Sequence, residues 1–245
     1  EAVPSHYFKK VKITCGMDHI DILPRIIGDS PDYKVTIYDR DSDKKFEYVS
    51  ANGDPVDISR ERLEKEWKKP VELWDCDHPA LYDIHVEAED DSVLCYGAFR
   101  SISIRKIHRT NRVCLNEKPI FFHGILDQGY FSNGIYTPES IDEYERDILR
   151  AKNLGFNTIR KHIKIEPEWF YYFCDKYGML VVQDMVNSGE YNFWYNTALP
   201  TIGAKYSFDR LHHNRDRRRK DFFIKHSVET VDRLHDHPSI VVYTI

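Results

Sequence analysis

The chain has 245 residues, 41% of them hydrophobic and 31% charged, with a formal net charge of −5. Length and composition suit a globular protein of one large domain or two smaller ones. No run approaches the ~18 apolar residues of a membrane span, and the acidic balance argues against a nucleic-acid partner.

The basic cluster Arg215-Asp-Arg-Arg-Arg-Lys220 is interrupted by Asp216 and followed by Asp221, and it reads as a solvated helix start. Cys15, Cys76, Cys95, Cys114 and Cys174 form no C-x-x-C pair. Such a scattered set predicts reduced, mostly buried thiols and a cytoplasmic setting. The chain opens on Glu-Ala-Val-Pro without a recognisable signal peptide.

Residues 1 to 108 read as all-β. Short β-rich runs recur at Phe8–Thr14, Lys34–Tyr38, Lys45–Val49, Leu81–Glu87, Ser92–Tyr96 and Ser101–Ile107. Turn-forming clusters such as Gly28-Asp-Ser-Pro31, Asp39–Lys44 and Ala51-Asn-Gly-Asp-Pro55 separate them. Within Leu81–Val86, Tyr82, Ile84 and Val86 share one face by period two and are predicted to point into the core. Six or seven short strands in about 100 residues suit an immunoglobulin-like sandwich.

From about Asn111 the rhythm changes. Pro119-Ile-Phe-Phe-His-Gly124 reads as a short apolar strand. Thr137-Pro-Glu-Ser140 then predicts a helix start, with Thr137 as cap, Pro138 in the first turn and Glu139 complementing the dipole. Ile141, Tyr144, Ile148 and Leu149 give that helix one apolar face, and Gly155 ends it. A strand follows at Phe156–Arg160, a helix at Pro167–Tyr177 closed by Gly178, and a strand at Met179–Val182. The pattern finishes with a helix at Phe222–Leu234 and a strand at Ser239–Ile245. Alternating strands and helices with near-continuous apolar strands predict a parallel sheet covered by helices. Four strands and three helices amount to half of an eightfold β/α barrel, residues 109 to 245, stopping at the carboxyl end of strand four. Catalytic groups of such barrels sit at that end of the strands.

The segments Leu73–Tyr82, Tyr96–Ile102, Leu115–Ile125, Leu154–Arg160, Tyr177–Met185 and His237–Tyr243 are together similar to glycoside hydrolase family 2, the group of β-galactosidases, β-glucuronidases and β-mannosidases. Leu115-Asn-Glu-Lys-Pro-Ile-Phe-Phe-His-Gly-Ile125 resembles that family's entry into barrel strand one. Leu154-Gly-Phe-Asn-Thr-Ile-Arg160 resembles strand two, Tyr177-Gly-Met-Leu-Val-Val-Gln-Asp-Met185 strand three, and His237-Pro-Ser-Ile-Val-Val-Tyr243 strand four. Leu73-Trp-Asp-Cys-Asp-His-Pro-Ala-Leu-Tyr82 and Tyr96-Gly-Ala-Phe-Arg-Ser-Ile102 are similar to the family's immunoglobulin-like domain. The resemblance covers about residues 70 to 245, and earlier residues match in rhythm only. It implies a retaining enzyme with two catalytic glutamates, the acid/base in an Asn-Glu pair just after strand four and the nucleophile on a later strand. Both are then expected after Ile245, and the 245 residues alone are expected to be inactive. Retaining glycosidases need two carboxyl groups about 5–5.5 Å apart.

What remains within the chain is part of the binding wall. Asp127 and Gln128 follow strand one, either as hydrogen-bonding partners of sugar hydroxyls or as a loop turn with Gly129. By resemblance, Arg160 is a fixed positive charge near the nucleophile; the plainer reading is an ion pair at the barrel rim. His162 and Lys164, in Arg-Lys-His-Ile-Lys, depart from the family's Ser-His-Tyr-Pro pattern; a basic loop there favours an acidic sugar, unless the charges are simply exposed. Asp184 ends strand three, as an acceptor for sugar hydroxyls or a partner of Arg160. The connection from Asn187 to Asn214 carries six aromatic residues, of which Trp194 is the candidate stacking platform.

His212-His213 and His235-Asp-His237 lack zinc-type spacing, and no Gly-rich phosphate loop or G-x-S-x-G elbow is present, so neither metal nor cofactor is expected. The expected partner is a carbohydrate substrate, with no membrane and no nucleic acid. Two unpaired edges of a half barrel predict homo-oligomers or other association through those edges. The rival readings are a non-catalytic carbohydrate-binding protein and one half of a split enzyme.

Overall fold

The computed structural model describes residues 3–28, 32–89, 91–186, 193–204 and 217–245. The first seven strands are β1 (Tyr7–Cys15), β2 (His19–Ile27), β3 (Tyr33–Asp39), β4 (Lys45–Ser50), β5 (Val56–Ser59), β6 (Tyr82–Glu87) and β7 (Ser92–Gly97), with α1 (Arg60–Trp67) between β5 and β6. They form two antiparallel sheets, ordered β1-β2-β5 and β4-β3-β6-β7. Ile13, Ile20, Ile22, Val56 and Ile58 from one sheet meet Val35, Ile37, Ile84 and Val86 from the other, with Leu63 and Trp67 of α1 sealing one end. Tyr82, Ile84 and Val86 are all buried, as their alternation predicts. The Ser59 side chain caps α1 by accepting from the Arg62 amide.

A hairpin of β8 (Ile102–Ile107) and β9 (Thr110–Leu115), extended by the short β10 (Lys118–Pro119), leads onward. Residue 108 lies at its tip. The second half comprises β11 (Gly124–Asp127), α2 (Asp142–Asn153), β12 (Thr158–Lys161), α3 (Glu168–Tyr177), β13 (Leu180–Asp184), α4 (Leu199–Thr201), α5 (Arg217–Leu234) and β14 (Ile240–Thr244). A π-helical turn, Trp194–Ala198, runs into α4. The four strands pair in parallel in the order β11-β12-β13-β14. Ile125, Ile159 and Val181 face the helices and share a core with Tyr144, Ile148, Phe170, Phe173 and Cys174. The opposite face is open toward β11 and β12, where Leu126 is 55% exposed and the Arg160 side chain 52%.

Two expectations need correction. The apolar run Pro119–Gly124 is not barrel strand one. Pro119 ends β10, while Ile120 and Phe122 pack with Trp74, Leu115 and Leu180 beneath the parallel sheet. The strand itself starts at Gly124. Nor does Thr137 cap a helix: residues 137–141 form turns, Glu139 accepts from the Asn133 amide at 2.9 Å, and α2 starts at Asp142. Asp142, Glu143 and Glu145 supply the first-turn acids there. All five cysteines are free thiols.

The two halves share a core-like boundary. Trp74, fully buried, donates its indole N–H to the Asp175 carbonyl at 2.7 Å. Tyr96 of β7 and His237 both bond the Asp175 carboxylate at 2.7 Å, and the Ser239 amide donates to it at 2.8 Å. The His-Pro-Ser turn thus fastens the entry of β14 to α3 and to the sandwich. Gly178 ends α3 with φ 68°, where a Cβ would lie 2.6 Å from the Cys76 carbonyl of the sandwich side. Glycine is needed there for both reasons.

Candidate carbohydrate site

Parallel pairing brings the carboxyl ends of four strands to one rim. Asp127 lies opposite Lys161, Lys161 opposite Gln183, and Asp184 opposite Thr244. Alternation then sorts these residues onto two faces. Arg160, Val182 and Asp184 belong to the open face; Asp127, Lys161 and Gln183 belong to the helix-covered face.

On the open face, Arg160 and Asp184 form a bidentate pair, Nε and Nη2 each 3.0 Å from a carboxylate oxygen. The Thr244 hydroxyl donates to the same carboxylate. Burial alone raises the pKa of Asp184, but the bonds from Arg160 and Thr244 and the Arg160 charge outweigh it, so the carboxyl sits below its ordinary value. The partnership with Arg160 foreseen for Asp184 is present. The guanidinium is planar, charged and half-exposed, fixed by its buried partner and available to a further anion or hydroxyl. Beside it, Nδ1 of His162 donates to Oε1 of Gln128 at 3.1 Å, an exposed pair bridging the ends of β11 and β12.

Beneath the rim lies a buried charge cluster. Glu166 pairs with both Lys161 and Lys164, the latter at 2.9 Å. Lys161 also bonds Asp127 at 2.8 Å, and its ammonium lies 4.7 Å from the Phe170 ring centre. Lys164 donates to the carbonyls of Gly129 at 2.7 Å and Tyr136 at 2.6 Å. Tyr144 donates to Glu166 at 3.0 Å, and burial, with the Glu166 charge, holds its hydroxyl far above the ordinary range. Gln183 accepts from Tyr171 at 2.7 Å and donates to the Lys164 carbonyl at 2.9 Å. The cluster therefore ties three strands to two helices.

This placement corrects two expectations. Lys164 is 5% exposed with three acceptors, so it is no solvent-facing basic loop and offers nothing to an acidic sugar. Asp127 uses one carboxylate oxygen for Lys161 and the other for the Gly129 amide at 2.7 Å, so it behaves as the turn-forming residue of the plainer reading. Gly129 has φ 68°, and a Cβ there would lie 2.7 Å from Lys164 Cδ and 2.8 Å from Lys161 Nζ. Trp194 is exposed on the π-helical turn, its ring edge-on to Phe193 at 5.9 Å. Tyr191, Tyr206 and Phe208, like His212 and His213, lie outside the described residues. Sequence reading missed Lys161, Glu166, Gln183 and Thr244. The available signal was alternation: a lysine flanked by open-face positions on a helix-covered strand must be buried.

The pattern of "Glycosyl hydrolases family 2, TIM barrel domain" matches residues 106–245, more than half of the chain. The chain belongs to glycosyl hydrolase family 2. It is 27% identical over 188 residues to a β-galactosidase of Leuconostoc mesenteroides, covering 75% of this chain and 16% of that protein. A β-galactosidase of Pectobacterium atrosepticum is 31% identical over 118 residues, or 46% of this chain and 11% of that protein. Among solved structures, the apo structure of Bacteroides uniformis β-glucuronidase 3 matches with a TM-score of 0.73 at 15% identity, over 98% of this chain and 28% of that one. A β-glucuronidase of Parabacteroides merdae matches with a TM-score of 0.70 at 17% identity, over 98% of this chain and 28% of that one. At such identities the structures show a shared fold. The chain thus spans about a sixth or less of the two β-galactosidases and 28% of each β-glucuronidase, and its four parallel strands lie within the match to the TIM barrel domain.

Proposed function

We propose that the whole protein is a retaining glycoside hydrolase acting on terminal β-linked sugars, in the manner of β-galactosidases and β-glucuronidases. The observation that carries this reading is the Arg160–Asp184 pair, aimed from the carboxyl ends of neighbouring parallel strands in a family 2 barrel domain. In this reading residues 1–108 are an immunoglobulin-like domain and 109–245 the first half of the barrel. The acid/base and nucleophile carboxylates come from outside these residues. Among the described residues, β11 and β14 each pair on one side only. Further barrel strands or a second copy cover those edges.

Arg160 is the fixed charge beside the reacting centre, where it favours an ionised nucleophile. Gln128 and His162 offer an amide and an imidazole to sugar hydroxyls, and Trp194 an apolar face. Lys161 and Lys164 are matched by Asp127 and Glu166, so they add no net positive charge to the rim.

The test is a panel of aryl β-glycosides with the whole protein, following the first-formed anomer by proton NMR. Release of the β-anomer supports the reading, with no turnover by the 245 residues alone. Inverted product, or no turnover by the whole protein, overturns it; binding without turnover assigns the non-catalytic alternative.

A further inference from the structure

The segment Arg160-Lys-His-Ile-Lys-Ile-Glu166 alternates between two tasks. Arg160 and His162 face the site, whereas Lys161, Lys164 and Glu166 are buried. Burying two ammonium groups and a carboxylate is costly, and apolar side chains of similar volume usually serve stability as well or better. The cluster's contacts show what the charges do instead. Lys161 holds the Asp127 carboxylate, which in turn takes the Gly129 amide. Lys164 holds the carbonyls of Gly129 and Tyr136, closing the loop that follows β11. Phe131 and Ile135 exchange two backbone bonds of 2.9 Å inside that loop. The His162 amide donates to the Asp127 carbonyl at 3.0 Å. Gln128 is therefore clamped on both sides by residues the lysines hold, and His162 is fixed between them.

We propose that Lys161 and Lys164 are positioning residues of the carbohydrate site, acting through the Gln128–His162 pair. This rests on the site reading given under Proposed function. Neither lysine touches substrate. Each fixes the backbone on which the amide and imidazole are presented, so that sugar hydroxyls meet a preorganised pair.

The experiment is a double-mutant cycle in the whole protein with Lys164→Met, Gln128→Ala and both. Lys164→Met alone is expected to raise KM roughly tenfold with kcat within about twofold. In the Gln128→Ala background the same change is expected to cost less than about twofold, because its route to substrate is already gone. Effects that multiply, or a Lys164→Met enzyme with unchanged KM, overturn the inference. If Lys164→Met does not fold, Asp127→Asn replaces it, keeping the acceptor for Gly129 while removing the charge opposite Lys161; the same coupling is expected. Hydrogen exchange of peptides spanning 127–137 supplies a readout free of turnover. If the wild type cleaves no glycoside, the functional reading fails and exchange alone decides this one. Faster exchange confined to those peptides supports it, and unchanged or global exchange overturns it.

Discussion

The two halves of the chain bury comparable numbers of apolar side chains, yet they treat charge differently. The sandwich core is built from Ile, Val, Leu and aromatic residues, and among the described residues its one buried acid, Asp39, sits at a turn with Lys69 and Ser42 as partners. The parallel half buries Lys161, Lys164, Glu166, Asp175 and Asp184. Buried charge is a weak source of stability, and in some proteins it is retained because it fixes geometry. Its concentration at the rim and at the boundary between the halves indicates where position matters more than stability.

Breaking one partner in each half tests that contrast. Glu166→Ala leaves two buried ammonium groups short of their shared anion and is expected to cost about 3–5 kcal/mol in denaturant unfolding. Ile84→Ala, a cavity in the sandwich at a fully buried position, is expected to cost about 2–5 kcal/mol. Activity separates them further. The combined change Lys161→Met, Lys164→Met, Glu166→Leu is expected to leave unfolding free energy within about 1 kcal/mol of wild type while lowering kcat/KM in the whole protein. A triple variant with full activity would sink the contrast.

How much of this was legible in the sequence follows the same division. Short β-rich runs between turn clusters, with period-two alternation at Leu81–Val86, located β1, β3, β4, β6, β7 and β8 within a residue or two at either end. The strand β2, which carries Pro24, was passed over. Beyond Ile22, where the pairing with β5 ends, β2 has only β1 as a neighbour, and Pro24 stands there opposite Val11 on a locally one-sided strand. The helix α1, whose apolar residues Leu63 and Trp67 stand in a run of charges, was also passed over. The run Pro119–Gly124 was read as a strand because apolar runs report burial and not conformation. At the site, Arg160 and Asp184 were legible from their places at strand ends. Lys164 was misread because its neighbours are charged, and only tertiary structure shows the ring of acceptors around it.

The boundary cluster gives a smaller, pH-dependent effect. Burial alone lowers the pKa of His237, but the Asp175 charge and hydrogen bond outweigh it and leave the pKa above the ordinary 6.5. A raised folded-state value means that the imidazolium's contribution is fully present below about pH 6.5, the unfolded value, and fades as pH climbs through the folded value. Tyr96, Asp236 and Glu168 face the same group, and the Tyr96 hydroxyl, held far above its ordinary range by burial and Asp175, stays a donor throughout. Asp175→Asn is expected to cost about 1–3 kcal/mol and to flatten this alkaline loss, read as unfolding midpoints from pH 5 to 9. An unchanged slope would show that Asp175 matters only through hydrogen bonding.

Arg160→Ala should give a small stability change and a large functional one. The guanidinium is half-exposed but its partner Asp184 is buried, so its loss is expected to cost about 1–2 kcal/mol in unfolding, between an exposed pair and the fully buried Glu166 cluster. Asp184 keeps the Thr244 hydroxyl, though its depressed pKa rises. With a depressed folded value, the carboxylate's contribution is present above the ordinary 3.8 and lost as pH falls through the folded value, so the variant should show a shallower acid limb. Turnover by the whole protein is expected to fall about 10²- to 10³-fold, the scale of removing one preorganised charge from a site. Equal losses of stability in Arg160→Ala and Glu166→Ala would make Arg160 a brace of the rim. A stable but inactive Arg160→Ala protein places its charge at the chemistry, with the buried lysines beneath supplying only geometry.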